Sequence, residues 1–322
     1  MIPNFNIPQI DTPAVILDNA LARGAKRGRM VKKPKETHMK VMVGELERLK
    51  EIRSALVTVL TRLHDSFPSF DHLSEFTRAV FALDLDPGRV KRALAAISGT
   101  VGTIETLTRE HTARMRASHT SEAIVAVRSA YIGRISSVAK RLGEPLAILK
   151  HGRDVFRNLP TVDDELFTVA IAGFPNVGKS TLLSKLTPAK PEIKPYAFTT
   201  KGLNAGSFDY RYNRIQVIDT PGTLDRENPN PIERKAELTL RYLAKCIVYV
   251  FDPTEMTYPI AQQRALYEKT ADMDKPVLIY ISKTDIAKED AVAAIKKEFP
   301  EALTQPDAVK KAITAAFRDD RV

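Results

Sequence analysis

The chain has 322 residues, enough for two domains that each bury a core. A composition of 43% hydrophobic and 27% charged residues describes a globular protein rather than a disordered or membrane-spanning one, and no apolar run approaches the roughly 18 residues that cross a bilayer. The net charge of +10 lies mainly in the first half, where residues 1–165 hold 26 Lys and Arg against 19 Asp and Glu.

The start, Met1 to Asn6, lacks the basic and then apolar layout of a secretory signal, so the expected location is cytoplasmic. From Arg23 to Lys35 the chain carries Arg23, Lys26, Arg27, Arg29, Lys32, Lys33 and Lys35 without one acidic residue. Such a run reads as a solvated surface tail, as a nuclear-targeting segment, or as a patch that neutralises nucleic-acid phosphates. From Lys35 to Asn158 the apolar spacing is helical, as in Leu46, Leu49, Ile52, Leu56, Val59, Leu60 and Leu63. Breaks at Ser66 to Ser69, Asp84 to Gly88, Ser118 to Ser121 and Gly143 to Pro145 divide this stretch into about five helices. Two of these have readable starts, at Asp86-Pro87 and at Thr120 or Ser121 with Glu122.

A short polar linker, Leu159 to Asp164, follows, and the expected division is a basic helical bundle over residues 1–160 and a second domain over 161–322. In the second domain, continuous apolar runs at Leu166–Ala172, Arg214–Asp219, Cys246–Asp252 and Pro276–Ser282 read as strands of a mostly parallel sheet covered on both faces. Helical stretches starting near Lys179, Pro231, Pro259 and Ala287 alternate with them. The expectation is a doubly wound α/β fold with its chemistry in the loops after the strands. Cys246, the single cysteine, is core filler, and the six histidines are scattered through the helical half without metal-ligand spacing.

The loop after the first strand matches G-x-x-x-x-G-K-[ST] at Gly173, Gly178, Lys179 and Ser180. Its glycines let the amides around Pro175, Asn176, Val177 and Gly178 turn toward phosphates, and Thr181 lies in the first turn of the next helix. Lys179 is expected at the β- and γ-phosphates and the Ser180 hydroxyl on Mg²⁺. About 40 residues on, Asp219-Thr-Pro-Gly222 fits D-x-x-G, with Asp219 acting on Mg²⁺ through water and the Gly222 amide meeting the γ-phosphate. Between them, Phe198, Thr199 and Thr200 offer a threonine for Mg²⁺ in the triphosphate state, with Thr200 favoured. After the last strand come Ser282, Lys283 and Asp285, where the Asp285 carboxylate can accept both N1–H and amino protons of guanine, which adenine cannot offer. The reading is therefore GTP or GDP. The usual pattern there is N-K-x-D, so Ser282 is expected to cost a tie to the phosphate loop. The last guanine loop falls at Glu301-Ala302-Leu303, with the Ala302 amide toward guanine O6 and Leu303 over the base.

Taken together, Gly173 to Ser180, Lys194 to Gly202, Ile218 to Arg226 and Asp252 to Glu255, with upstream Phe67-Pro68, Lys150 to Gly152 and Asn158 to Asp163, resemble the nucleolar GTP-binding (Nog) family of the Obg-HflX group of P-loop GTPases, in its short archaeal form. The resemblance implies a factor joining large ribosomal subunit precursors, gripping rRNA with its helical half among ribosomal proteins, acting as a monomer and using nucleotide state to control docking or release. It also bears on hydrolysis. Thr223 and Leu224 follow Gly222 where many GTPases carry a water-orienting Gln, and Asn176 stands where relatives hold a monovalent cation such as K⁺. Slow turnover stimulated by K⁺ or by the ribosomal particle follows. The rival reading is a non-catalytic RNA-binding scaffold with a degenerate nucleotide module.

Overall fold

The computed structural model describes residues 5–30, 36–159, 166–187, 192–194, 203–220 and 231–320. The chain divides into two compact units, one formed by Asn4–Leu73 with Asp84–Arg157 and the other by Ser74–Leu83 with Asn158–Val322.

The first unit is helical, with α1 (Pro13–Met30), α2 (Thr37–Ser66), α4 (Pro87–Arg116), α5 (Ser121–Lys140) and α6 (Gly143–Arg157); α3 (Glu75–Asp84) belongs almost wholly to the other unit. Local chemistry explains where the helices start. Asp86 caps α4 by accepting from the Gly88 amide at 2.8 Å with Pro87 in the first turn, and Thr120 caps α5 by accepting from the Ala123 amide at 3.2 Å. Along α2, Leu49, Ile52, Leu56, Leu60 and Leu63 are buried as their spacing predicts, but Val59 is exposed. The helices α1 and α2 approach closely where Gly28 faces Gly44: a Cβ on Gly28 would sit 2.7 Å from the Gly44 carbonyl. The basic run accordingly begins on a packed helix rather than in a tail, since Arg23, Lys26, Arg27 and Arg29 all lie on α1.

The second unit is built on a six-stranded sheet in the order β2-β3-β4-β1-β5-β6, comprising β1 (Phe167–Ala172), β2 (Glu192–Lys194), β3 (Leu203–Tyr210), β4 (Asn213–Asp219), β5 (Cys246–Phe251) and β6 (Val277–Ile281). The strands β4, β1, β5 and β6 are parallel, as read from the four apolar runs, while β3 pairs antiparallel with both β4 and β2. These two antiparallel strands are an addition to the expected sheet. Residues Asn204–Ser207 of β3 are only half-buried, and the Arg211-Tyr212 turn joining β3 to β4 lacks the Asn-Gly signal that marks such hairpins. Around the sheet run α7 (Lys179–Leu186), α8 (Pro231–Leu238) continued by a π turn (Thr239–Leu243), α9 (Ile260–Ala271), α10 (Glu289–Glu298) and α11 (Pro306–Asp319). The central strands are completely buried because helices cover both faces, which is why their sequences are continuous apolar runs.

Helix α3 departs from a single cut near residue 160. Its Phe76 and Val80 pack with Ile218 of β4 and Leu243 of the π turn in a small cluster of their own. The Ser74–Leu83 segment thus comes from the helical half of the sequence but folds with the sheet. Ile218 precedes Asp219 directly, so this cluster lies beside the end of β4.

Candidate functional site

The carboxyl ends of β1, β4, β5 and β6 bring Gly173, Thr220, Asp252 and Ser282 to one edge of the sheet, where ligands of open α/β folds bind. The loop after β1 is held in its shape by left-handed backbone. Gly173 has φ 140° and Gly178 has φ 98°, and a Cβ on Gly173 would sit 2.9 Å from the Val250 carbonyl, so no other residue fits there without displacing main chain. Asn176 also has positive φ, at 64°, a conformation that asparagine tolerates better than most residues, and it is exposed at the crest of the loop beside half-buried Pro175. Gly178 caps α7, whose first turn carries Lys179, Ser180 and Thr181.

Lys179 is only 6% exposed, and its ammonium donates to the Phe174 carbonyl at 2.7 Å. Burial lowers its pKa from 10.5 to about 8, and the charge of Asp219 works in the opposite direction. The Ser180 hydroxyl donates to Asp219 Oδ2 at 2.5 Å, joining the first turn of α7 to the end of β4. Asp219 is itself buried, which raises its pKa; the Ser180 hydrogen bond, the Lys179 charge and the nearby Asn204 side chain oppose the rise. Thr220 clamps this end of β4, with its amide at 3.3 Å and its hydroxyl at 2.8 Å from the Ile171 carbonyl of β1. Sequence reasoning gave Thr220 no role. The polar letter inside Asp219-Thr-Pro-Gly222 was its only signal.

The residues present fit a divalent cation. Asp219 Oδ1 is buried without a hydrogen-bond partner among the described residues, and it lies on the same carboxylate that the Ser180 hydroxyl contacts. A hydroxyl beside an unsatisfied carboxylate is a hard-oxygen donor set of the kind Mg²⁺ takes. Among the described residues no group of three or more His, Cys, Asp and Glu is placed to hold a metal ion by itself.

The loop after β6 overturns one expectation. Ser282 keeps a tie to the phosphate loop, because its buried hydroxyl donates to the Val177 carbonyl at 2.6 Å, with the Phe251 carbonyl at 3.0 Å as the alternative acceptor for its one proton. A serine suffices because Gly178 lets the two loops close: a Cβ there would come within 3.3 Å of Ser282 Cβ. Lys283 has φ 50° and pairs with Asp252 Oδ2 at 2.6 Å, while Asp285, two residues on, is exposed. Asp252 is a second residue to which sequence reasoning gave no role.

The Glu301-Ala302-Leu303 assignment is also corrected. The Ala302 amide already donates to the Phe299 carbonyl at 3.0 Å and the Leu303 amide to the Ile279 carbonyl at 2.9 Å. Leu303 forms a parallel bridge with Tyr280 on β6, so its amide is engaged in the sheet, while the Ala302 amide closes a turn just after α10. Phe198, Thr199, Thr200 and Gly222 lie outside the described residues, as do Lys32, Lys33 and Lys35. Of the basic residues on α1, Arg23 pairs with Glu51 at 2.7 Å and Arg27 with Glu47 at 3.4 Å, whereas Lys26 and Arg29 are exposed with no ion pair among the described residues.

A glycine loop feeding a helix, a lysine and serine at that helix start, and a strand-end aspartate on the serine define the domain of a P-loop GTPase, here joined to a helical unit. Comparison with known proteins agrees. A family model described as the NOG1 N-terminal helical domain matches residues 6–163, and one described as a 50S ribosome-binding GTPase matches residues 168–283. An uncharacterized protein of Methanocaldococcus jannaschii is 33% identical over 295 residues, 90% of this chain and 83% of its own length. Nucleolar GTP-binding protein 1 of Kluyveromyces lactis is 28% identical over 322 residues, 98% of this chain and 50% of its own length. The Arabidopsis thaliana protein of the same name is 31% identical over 276 residues, covering 84% of this chain and 41% of its own length. The chain belongs to the nucleolar GTP-binding (Nog) family, and it spans about half the length of the eukaryotic relatives it matches.

Proposed function

We propose that this chain is a GTP-binding and GTP-hydrolysing switch that acts in assembly of the large ribosomal subunit. The observation that carries the nucleotide half is the Ser180–Asp219 contact with its unsatisfied Asp219 Oδ1, set beside the buried Lys179 ammonium. A buried cation at the start of a helix is stabilised when phosphate oxygens arrive. Lys179 would exchange the Phe174 carbonyl for the β- and γ-phosphates, and Ser180, with Asp219 through water, would hold Mg²⁺. Bound Mg²⁺ supplies charge neutralisation to the phosphates. Asp285 accepts from the N1–H and amino group of guanine, and the Ser282 tie keeps that reader in fixed relation to the phosphate loop.

Thr200 and Gly222 complete the site in the triphosphate state on the sequence reading, and with no Gln after Gly222, hydrolysis relies on other groups. Asn176 at the loop crest is the residue we assign to a K⁺ ion that offsets charge at the phosphates. The assembly half rests on the helical unit and its family match. Lys26 and Arg29 are open to phosphate, and Arg23 and Arg27, at 61% and 55% side-chain exposure, need only release their glutamates to join them. Lys32, Lys33 and Lys35 extend the same run in sequence. The eukaryotic relatives are named for the nucleolus, and the compartment proposed for this chain is the cytoplasm. No described helix is long and apolar enough to cross a membrane.

The engaged Ala302 and Leu303 amides favour a second reading, a scaffold whose nucleotide module binds weakly and does not turn over. Phosphate release measured with and without large-subunit precursors, alongside recovery of the chain on those precursors with GDP or a non-hydrolysable GTP analogue, separates the two. The switch predicts release that the particle accelerates and recovery that depends on nucleotide. Nucleotide-independent recovery with no phosphate release supports the scaffold.

A further inference from the structure

Asp252, just beyond β5, is a buried carboxylate that the phosphate and metal chemistry leaves unused. Its side chain is 2% exposed. Oδ1 accepts from the Thr254 amide at 3.0 Å and the Thr254 hydroxyl at 2.6 Å, and Oδ2 accepts from Lys283 Nζ at 2.6 Å. Its main chain is fixed as firmly. The Asp252 amide donates to Gln263 Oε1 at 2.8 Å, Gln263 Nε2 donates back to the Asp252 carbonyl at 3.0 Å, and the Tyr249 hydroxyl holds the Gln263 carbonyl at 2.6 Å. Burial pushes the Asp252 pKa up, but the Lys283 and Thr254 hydrogen bonds outweigh it and leave the group below the ordinary carboxylate value. Asp252 is therefore an ionised anchor joined to β5 and α9.

Lys283 needs such an anchor. Its φ of 50° is left-handed, and lysine lacks the short side-chain amide that eases asparagine into that region. Its carbonyl accepts from the amides of Ile286 at 3.2 Å and Ala287 at 3.1 Å, closing the turn on which Asp285 sits. Release of the Lys283 side chain removes the contact that offsets its backbone conformation, and the turn presenting Asp285 relaxes with it.

We propose that Asp252 is a positioning residue for base recognition: by pairing with Lys283 it holds the left-handed turn that aims Asp285 at the N1–H and amino group of guanine. This rests on the reading that Asp285 recognises guanine. A role in general stability would weaken all nucleotides alike, whereas a positioning role acts on the base edge, so the readout is the ratio of Kd for IDP, which lacks the amino group, to Kd for GDP.

The test measures GDP, IDP and ADP binding to the full chain for wild type, Asp252→Asn, Lys283→Met and the double variant, with a thermal melt of each. Expected are wild-type preference for GDP over IDP by about tenfold or more, from one charge-assisted hydrogen bond, and a ratio falling severalfold toward one in each single variant. The double variant should lose no more than either single one, because both changes break one contact. Unchanged GDP/IDP ratios in the single variants, or losses that add in the double variant, overturn the proposal. If Asp252→Asn fails to fold, Lys283→Met decides the question, since Lys283 is partly exposed. A wild type that binds no GDP, or binds ADP equally, contradicts the guanine reading itself, an outcome distinct from failure of the positioning role.

Discussion

Replacing Lys179 by methionine should stabilise the nucleotide-free protein while abolishing its nucleotide binding. The wild-type ammonium is 6% exposed, and its pKa falls from 10.5 to about 8 because burial disfavours the charge. That fall corresponds to a penalty of about 3 kcal/mol in the folded protein at neutral pH. Methionine keeps the length of the side chain and removes the charge. It leaves the Phe174 carbonyl without its 2.7 Å donor, a loss of about 1 kcal/mol, so the net gain is about 2 kcal/mol, or about 5 °C in melting temperature for a unit of this size.

The pH dependence has a definite sign. A lysine with a depressed folded-state pKa costs stability in full below about pH 8, and the cost disappears as the pH approaches 10.5, where the unfolded chain also loses its proton. Melting curves of protein stripped of nucleotide and Mg²⁺ should therefore show Lys179→Met above wild type at pH 7 and the gap shrinking by pH 10. With Mg²⁺ and GDP added, wild type should rise and the variant should not. A variant that melts below wild type at pH 7, or a gap independent of pH, refutes the reasoning.

Gly173→Ala should destabilise the sheet unit by about 2 kcal/mol or more, because a Cβ there meets the Val250 carbonyl and φ is 140°; denaturant titration reads this, and a change within error would remove the steric argument. Ser282→Ala leaves the Val177 carbonyl without its 2.6 Å donor, so GDP affinity should fall by about tenfold; calorimetric titration checks it, and unchanged affinity means the two loops are held together by other contacts. For Asn176→Ala, turnover in K⁺ should drop toward the rate in Na⁺, where wild type is already slow, and four equal rates would dismiss the cation role.

What the sequence revealed and what it concealed follow from the range of each interaction. The phosphate loop was legible because backbone approach, phosphate charge and Mg²⁺ each demand a residue type within a few positions, at Gly173, Gly178, Lys179 and Ser180. Helix starts at Asp86 and Thr120 were legible because caps are local. The Ser282 tie was not, since it depends on a carbonyl 105 residues earlier in the chain. The Ala302 assignment failed because its amide closes a turn onto Phe299 while Leu303 pairs with β6, and neither the turn nor the register is written in three letters. Periodicity marked the stretch between the breaks at Ser66–Ser69 and Asp84–Gly88 as helical but could not say that its Phe76 and Val80 pack with Ile218 and Leu243, far along the sequence. Strand β3 was missed because a half-buried strand carries a weak pattern, and Asp252 because its role exists only through a lysine 31 residues away.

The most direct test of the central claim is base choice by Asp285. Displacement of a fluorescent guanine nucleotide should be measured with GDP, ADP and XDP, for wild type and for Asp285→Asn. In wild type GDP should outcompete ADP by about a hundredfold or more, because a site built for paired donors strongly rejects a base without them. In Asp285→Asn the amide N–H meets repulsion from the guanine amino group but can donate to the carbonyl that xanthine carries there, so GDP should weaken and XDP should gain. A wild type that binds ADP as well as GDP, or an Asp285→Asn variant with unaltered GDP affinity, would contradict the account.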